Sequence, residues 1–448
     1  MFDSLLTSEP IAPSDEALVS ADEVVLWSQF PALIDAFANV LDSFAGTRIG
    51  LQMQASSTCL ALLAALERLQ CDTILVSGQL DRQGATELVE PLGASAVLCQ
   101  SPNQQGDASA RLDIHEFAGR TNSVETEVGV TILTSGTTGR PKAARHTWTS
   151  LSRPVRQDTL HSHPRWLLSY APHLYAGLQV ILQCLVNHGC LIAPAPGTPP
   201  KDIIGLMKSG RVQFASGTPS YWRRLVLFGD VSQLADLPLQ VITLGGEAVD
   251  QQILDQLHHL FPQTRLVHIY ATTELGRCFS VTDGQEGFPA SYFDQPSSDG
   301  IELRTVDGEL QVRSANRMSG YVDHPPTDSN SWTATGDLVV VRGQRVFFVG
   351  RQSELINVGG NKVHPLEVEQ VIRGVPGVLD VRVYAQSSSI AGQLVGCDIV
   401  PDNKANPESL RERVANTCAD QLTPFQRPRV IRFVKAIQLS IAGKTQRL

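Results

Sequence analysis

No apolar run in this 448-residue chain approaches the roughly 20 residues that a membrane-spanning helix needs. The first residues, MFDSLLTSEPIAPSDE, are acidic and carry no basic stretch, which excludes the pattern of a secretory signal. There is no CxxC pair. The eight cysteines (Cys59, Cys71, Cys99, Cys184, Cys190, Cys278, Cys397, Cys418) are scattered and read as buried apolar residues or spare thiols in a reducing cytosol. No internal repeat and no long low-complexity stretch is present. The net charge of −9 is mild for this length and argues against a surface built to cover nucleic acid or an anionic membrane. These absences leave a cytoplasmic, globular protein, expected as a monomer or homodimer with no nucleic-acid partner and no membrane span.

What is present is 42% apolar residues, enough for two or three domains at this length. Residues 1–30 read as a loosely held arm. From there to about 295, short apolar strands alternate with helices. The strands include Thr73–Val76, Ala94–Cys99, Val128–Leu133, Trp166–Tyr170, Cys190–Ala193, Gln213–Ser216, Gln240–Leu244 and Leu266–Tyr270; the stretch 100–126 reads as loop-rich. Such spacing implies βαβ units and mostly parallel sheet. Closely spaced strands over 301–349, with turns at Asp307-Gly308 and Arg342-Gly343, predict a small antiparallel barrel. The last hundred residues alternate again as a small α+β unit. The fold class is therefore α/β: a large N-terminal domain over 1–352, with parallel βα sheets and the small barrel, and a small α+β C-terminal domain over 353–448.

The segment richest in chemistry is Thr134-Ser135-Gly136-Thr137-Thr138-Gly139-Arg140-Pro141-Lys142, directly after an apolar strand. Glycines let backbone N–H groups approach an anion, and hydroxyls add donors, so the loop suits triphosphate oxygens. It is not a Walker A loop. The Gly-Lys-Thr at 443–445 lacks the earlier glycine, Gln438 standing in its place.

This segment closely resembles the phosphate loop of the adenylate-forming superfamily, which includes acyl- and aryl-CoA synthetases, peptide-synthetase adenylation domains and firefly luciferase. The later motifs follow in order. Tyr270-Ala271-Thr272-Thr273-Glu274 is similar to YGxTE, Thr335-Gly336-Asp337 to TGD, and Gly350-Arg351 opens a hinge segment running through Val358-Gly359-Gly360. Gly443-Lys444, with Arg447, is similar to a C-terminal GKxxR. The resemblance spans roughly 40–448 and is nearest to acyl- and aryl-CoA ligases.

The resemblance implies an ATP-dependent enzyme that joins a carboxylic acid to AMP with release of pyrophosphate, then passes the acyl group to the thiol of CoA or of an acyl-carrier protein. In that frame Thr134, Ser135, Gly136, Thr137, Thr138, Gly139 and Lys142 hold phosphates, and Gly245, Gly246 and Glu247 lie along adenine. Tyr270, Ala271 and Thr272 belong to the nucleotide site, Thr273 donates to the α-phosphate, and Glu274 holds Mg²⁺. Asp337 accepts the ribose hydroxyls, Arg351 pairs with ribose or phosphate, and Lys444 meets the reacting carboxylate and α-phosphate. His173, Tyr175, Gly177, Ser216 and Gly276 are the candidate acyl-pocket residues, with Cys278 beside them. The resemblance makes 353–448 a mobile lid with Ser353 as its hinge, and Val358, Gly359 and Gly360 line a tunnel for the thiol arm.

Several positions depart from the pattern. Ala143 and Ala271 replace family glycines, Ser353 stands where Asp or Lys is usual, Asn357 replaces a lysine, and the upstream proline of the C-terminal motif is missing. The run Ser169-Tyr170-Ala171-Pro172-His173 lacks the acid with which amino-acid-activating relatives bind an α-amino group. An aryl or medium acyl substrate is therefore expected over an amino acid. Two alternatives stay open on the sequence: an adenylating enzyme that uses an amine or stops at acyl-AMP, and a catalytically silent regulator that binds ATP or acyl-AMP on the same fold.

Overall fold

The computed structural model describes residues 1–7, 12, 14–101, 109–117, 127–134, 141–157, 161–322, 324, 328, 330–388, 392–402 and 405–446. Two mostly parallel sheets form the body of the larger part. One has eight strands, in the order Gly276–Val281, Arg265–Thr272, Val241–Gly245, Phe214–Gly217, Arg165–Leu167, Cys190–Ala193, Glu16–Ser20 and Val24–Leu26. Its six inner strands run parallel and its two edges antiparallel. The other has seven strands, with Gly129–Thr134, Asp72–Ser77, Arg48–Met53 and Ala96–Gln100 parallel at its centre. The inner strands are near-continuous runs of Ile, Leu, Val and Ala because helices cover both faces of such sheets.

The segment expected as a barrel is a five-stranded antiparallel sheet, Phe288–Pro289, Arg345–Arg351, Thr333–Arg342, Glu309–Arg313, Glu302–Val306. The C-terminal sheet is built on the long pair Val378–Ser388 and Gly392–Pro401, with Pro365–Arg373 and Pro407–Gln421 as its helices. It has its own core, drawn from residues 356–433, including Ile356, Val368, Val383, Ile399, Leu410 and Val414. A separate core is what a part that moves as a unit requires.

The described residues within 1–30 do not form a loose arm. Phe2–Thr7 is a helix whose Phe2 and Leu6 are fully buried, and Phe2 stacks on Trp148 at 5.3 Å. Glu16–Ser20 then pairs in parallel with Cys190–Ala193, inside the eight-stranded sheet. The helix is too short, and the strand too mixed in character, for periodicity to reveal either; long-range packing decides them. The strand Leu112–Glu116 in the stretch read as loop is a second such case: it is an edge strand with a mostly polar, exposed outer half.

Inside the body, the Asp72 carboxylate accepts from Arg145 Nε (3.0 Å), Arg145 Nη2 (2.8 Å), Gly129 N (3.1 Å) and Arg48 Nη2 (3.4 Å). It therefore fixes the start of the strand that ends in the phosphate loop. Asp72 is 2% exposed, so removing it takes from the buried Arg145 the carboxylate that both its Nε and Nη2 meet. We expect Asp72→Ala to lose about 3–5 kcal/mol of stability, measured by urea unfolding. A loss under about 1 kcal/mol would show that Arg145 finds another partner.

Candidate active site

Three adjacent parallel strands end side by side, and each opens into a segment of small or hydroxylated residues. Phe214–Gly217 leads to Thr218-Pro219-Ser220, Val241–Gly245 to Gly246-Glu247, and Arg265–Thr272 to Thr273-Glu274. The carboxyl ends of parallel strands are where open α/β sheets bind ligands. The Thr272–Gly276 turn is tight. Thr272 pairs with Gly276 across it, Leu275 N donates to Thr272 Oγ1 (3.1 Å), and Gly276 takes φ +69°. Its Thr273 carbonyl accepts from His146 Nε2 at 2.6 Å. Burial lowers the His146 pKa to about 4, so the imidazole is neutral near pH 7 and donates from Nε2.

The antiparallel sheet supplies the next wall. Asp337 and Arg351 are cross-strand partners, and Arg351 Nε donates to Asp337 Oδ1 at 2.8 Å. The Tyr270 hydroxyl donates to Asp337 Oδ2 at 2.6 Å. The Tyr270 ring is itself stacked between Phe279 (5.2 Å) and Phe348 (5.1 Å), and its pKa stands well above the ordinary tyrosine value, through burial first and Asp337 second. The Asp337 carboxylate is thus held in one orientation, with acceptor capacity left for further hydroxyls. Glu274 accepts from the Tyr321 hydroxyl at 3.2 Å, and Lys142 Nζ lies 5.5 Å from the Tyr321 ring centre. Burial, with Glu274 beside it, raises the Tyr321 pKa to about 12.

The tail completes the arrangement. Ser440 to Lys444 forms a turn closed by Ser440 N to Lys444 O and Gly443 N to Ser440 O, both 2.8 Å. Its far side is anchored on the larger part. Thr445 N donates to Glu247 Oε1 (2.6 Å), the Ser220 and Thr445 hydroxyls meet at 2.9 Å, and the Thr218 hydroxyl donates to Gly443 O. Glu247 Oε2 also accepts from Ser220 N (3.0 Å), so one carboxylate ties the tail to the helix Pro219–Phe228. Lys444 Cε lies 3.3 Å from where a Cβ on Gly246 would stand. Burial and then Arg351 lower the Lys444 ammonium pKa, while Glu247, Asp337 and Glu274 pull it back up. Residues 443–445 therefore meet Thr218, Ser220, Gly246 and Glu247, from two segments 198 to 225 residues away.

Of the expected residues, the structure gathers Gly245, Gly246, Glu247, Tyr270, Thr273, Glu274, Asp337, Arg351 and Lys444. Thr134 and Lys142 face each other as a β-pair closing the base of the phosphate loop; Ser135, Gly136, Thr137, Thr138 and Gly139 lie outside the described residues, as does Arg447. His173 is buried, which lowers its pKa to about 4. Tyr175 is buried with its ring 5.5 Å from His146. Ser216 Oγ accepts from Thr243 Oγ1. A Cβ on Gly177 would stand 2.1 Å from the Ala171 carbonyl, so backbone packs closely against it. The Gly359-Gly360 turn, at φ +56° and +90°, is exposed with nothing within 4 Å of either would-be Cβ. Ser353 lies exposed in the short Gln352–Glu354 turn. Sequence reasoning missed Thr218, Ser220, His146 and Tyr321, and did not foresee that the Glu247 carboxylate holds the tail.

The family model described as AMP-binding enzyme matches residues 11–322, and the AMP-binding enzyme C-terminal domain matches residues 367–444. The chain belongs to the AMP-binding enzymes. It is 26% identical over 352 residues to 4-coumarate–CoA ligase 2 of Oryza sativa subsp. japonica, covering 70% of this chain and 60% of that one. It is 25% identical over 373 residues to a medium/long-chain-fatty-acid–[acyl-carrier-protein] ligase of Mycobacterium tuberculosis, covering 75% and 68%. Among solved structures, an ATP-bound MatB of Rhodopseudomonas palustris superposes with a TM-score of 0.78 at 20% identity, covering 99% of this chain and 97% of that one. That likeness carries the fold: a large α/β domain followed by a smaller C-terminal one.

Two substitutions test the geometry. Asp337→Ala removes the charged acceptor that Tyr270 and Arg351 orient, and is expected to raise the KM for ATP about 10- to 100-fold, equivalent to about 1.5–3 kcal/mol; an unchanged KM in a folded protein refutes the assignment. Gly246→Val puts a branched side chain against Lys444 Cε, and should slow acid-dependent pyrophosphate release at least about tenfold. Wild-type release would mean that Lys444 is not needed where the structure seats it.

Proposed function

We propose that this AMP-binding enzyme is an ATP-dependent acid–thiol ligase. The observation that carries the reading is the seating of Lys444 against Gly246, by a tail bonded to Glu247, Ser220 and Thr218. A tail of this composition has no core of its own and would fray unless held.

In the first step a carboxylate oxygen of the acid attacks the α-phosphorus of ATP. The bond from that phosphorus to the bridging oxygen breaks, and pyrophosphate leaves with the electron pair. Lys444 offsets the charge that builds between carboxylate and phosphate, in a site closed enough for a fixed cation to act strongly. Asp337 holds the ribose, and the loop from Thr134 to Lys142 holds the departing phosphates. Thr273 donates to the α-phosphate, its turn steadied by His146. Glu274, an oxygen ligand suited to a hard cation, would hold Mg²⁺ beside the phosphates. When bound, the ion neutralises phosphate charge. With two reactants held in line, positioning supplies much of the acceleration.

In the second step the lid turns about Ser353, at the boundary between 1–352 and 353–448. It withdraws Lys444 and brings Val358-Gly359-Gly360 to the adenylate. A thiol attacks the acyl carbon and gives up its proton, and AMP leaves. The exposed state of the Gly359-Gly360 turn while Lys444 is seated suits a lid that presents one or the other. The relatives' names point to CoA or an acyl-carrier protein as acceptor. The acid is an aryl or medium acyl acid, since the buried, neutral His173 and the run 169–173 offer no carboxylate for an α-amino group. The protein acts in the cytoplasm as a monomer or homodimer. No described helix is long and apolar enough to cross a membrane, and all eight cysteines are free.

Lys444→Ala separates the two steps. Adenylation, followed by pyrophosphate release over a panel of acids, should fall about 10²-fold or more. Thioester formation from synthetic acyl-AMP should stay near wild type. Wild-type adenylation would remove Lys444 from the mechanism, and equal loss in both steps would remove the alternation.

A further inference from the structure

The tail is not the only contact that holds the C-terminal part in this orientation. On the larger part, Arg223 projects from the helix Pro219–Phe228, the same helix whose start binds the tail, and Asp250 caps the helix Gln251–Leu260 by accepting from Ile253 N (3.0 Å). On the smaller part, Arg373 ends the helix Pro365–Arg373, and Asp380 lies in the strand Val378–Ser388. Asp250 Oδ2 accepts from Arg223 Nη2 and, across the boundary, from Arg373 Nη1 at 3.3 Å. Arg373 Nη2 also lies 3.7 Å from Asp380 Oδ1 and 3.9 Å from Glu369 Oε2. The side chains of Arg223 and Arg373 are each 9% exposed, and that of Asp250 14%. Arg223 and Arg373 both pull the Asp380 pKa down against a larger upward push from burial. Two guanidiniums and three carboxylates thus share one buried site, with charges from both parts interleaved.

Each helix end carries the charge that suits its dipole, an acid at the start of 251–260 and a base at the end of 365–373. A rotation of the smaller part breaks this site along the line between Asp250 and Arg373. It leaves Asp250 with Arg223 on one side and Arg373 with Glu369 and Asp380 on the other, so both halves keep counter-charges and each is wettable once apart. The arrangement is specific to one orientation and separable, which is what a latch needs and what a permanent core does not.

We propose that Asp250 and Arg373 are positioning residues that latch the C-terminal part in the orientation that seats Lys444, and that Arg223 and Asp380 complete this latch. The proposal rests on the two-step reading above for its kinetic consequence. Its structural consequence, protection of the tail, is independent of any activity.

The test is Asp250→Asn. Asparagine keeps the helix cap but offers an amide to two guanidiniums in place of a shared charge. Hydrogen exchange on the intact substrate-free protein is expected to speed up at least about tenfold over 439–446, where Thr445 N is bonded to Glu247, with the strands of the eight-stranded sheet unchanged. Adenylation should fall at least about tenfold, and thioester formation from synthetic acyl-AMP should hold or rise, a split that a merely structural role would not produce. Arg373→Met should repeat the pattern, and the double variant should be no worse than the poorer single one. If the protein adenylates no acid, the functional reading fails while the exchange result still decides the latch. Unchanged exchange over 439–446, equal loss in both steps, or additive losses in the double variant would overturn it.

Discussion

One carboxylate connects the C-terminal tail to the larger part of this protein. Glu247 accepts from Ser220 N with one oxygen and from Thr445 N with the other. The first bond fixes the start of a helix; the second fixes the residue next to Lys444. Hydrogen bonds to an ionised acceptor are stronger than neutral ones, and a short turn with no core needs that strength. Because Glu247 follows directly on Gly246, the segment that binds the tail also leaves the space for Lys444. The same two residues thus set where the lysine goes and keep it there.

Around that contact, most of the site consists of side chains held by other side chains. Asp337 is oriented by Tyr270 and Arg351, and Tyr270 by two phenylalanine rings. Glu274 is met by Tyr321, and the Thr273 carbonyl by a neutral His146. A group that must meet charge developing on a substrate acts best when it does not reorganise. The sheets supply the distance scale, and these supporting side chains supply the orientation.

The sequence made the motif residues legible because each is local: a glycine- and hydroxyl-rich loop after a strand, an acid at a strand end, an aspartate after Thr-Gly. The alternation of β and α was legible for the same reason. The supporting residues were not. Thr218, Ser220, Tyr321 and His146 stand in no pattern, and each acquires its role through a contact 47 to 225 residues away in the chain. The first thirty residues were misread for a related reason. Phe2 and Leu6 form less than two helical turns, and only the distant Trp148 and the strand Cys190–Ala193 turn them and their neighbours into core. The phosphate loop, the plainest motif in the sequence, lies largely outside the described residues, while the tail, the segment that composition alone would call frayed, carries the contacts that matter most.

The division of labour between tail and latch follows from what each must do. The tail has to place an ammonium within a small site, so its contacts are short, directional hydrogen bonds with one carboxylate and two hydroxyls. These specify position but are few. The five charges around Asp250 and Arg373 lie on helices and a strand that are backed by cores, where an error of an ångström is tolerable. They contribute orientation over a longer lever and are costly to leave half-paired. If the tail alone held the lid, the force needed to keep the lysine seated would have to pass through one turn of five residues, and thermal fraying of that turn would unseat it. Spreading the hold between a directional contact at the site and an ionic one away from it lets the lysine be placed accurately without making the closed state permanent.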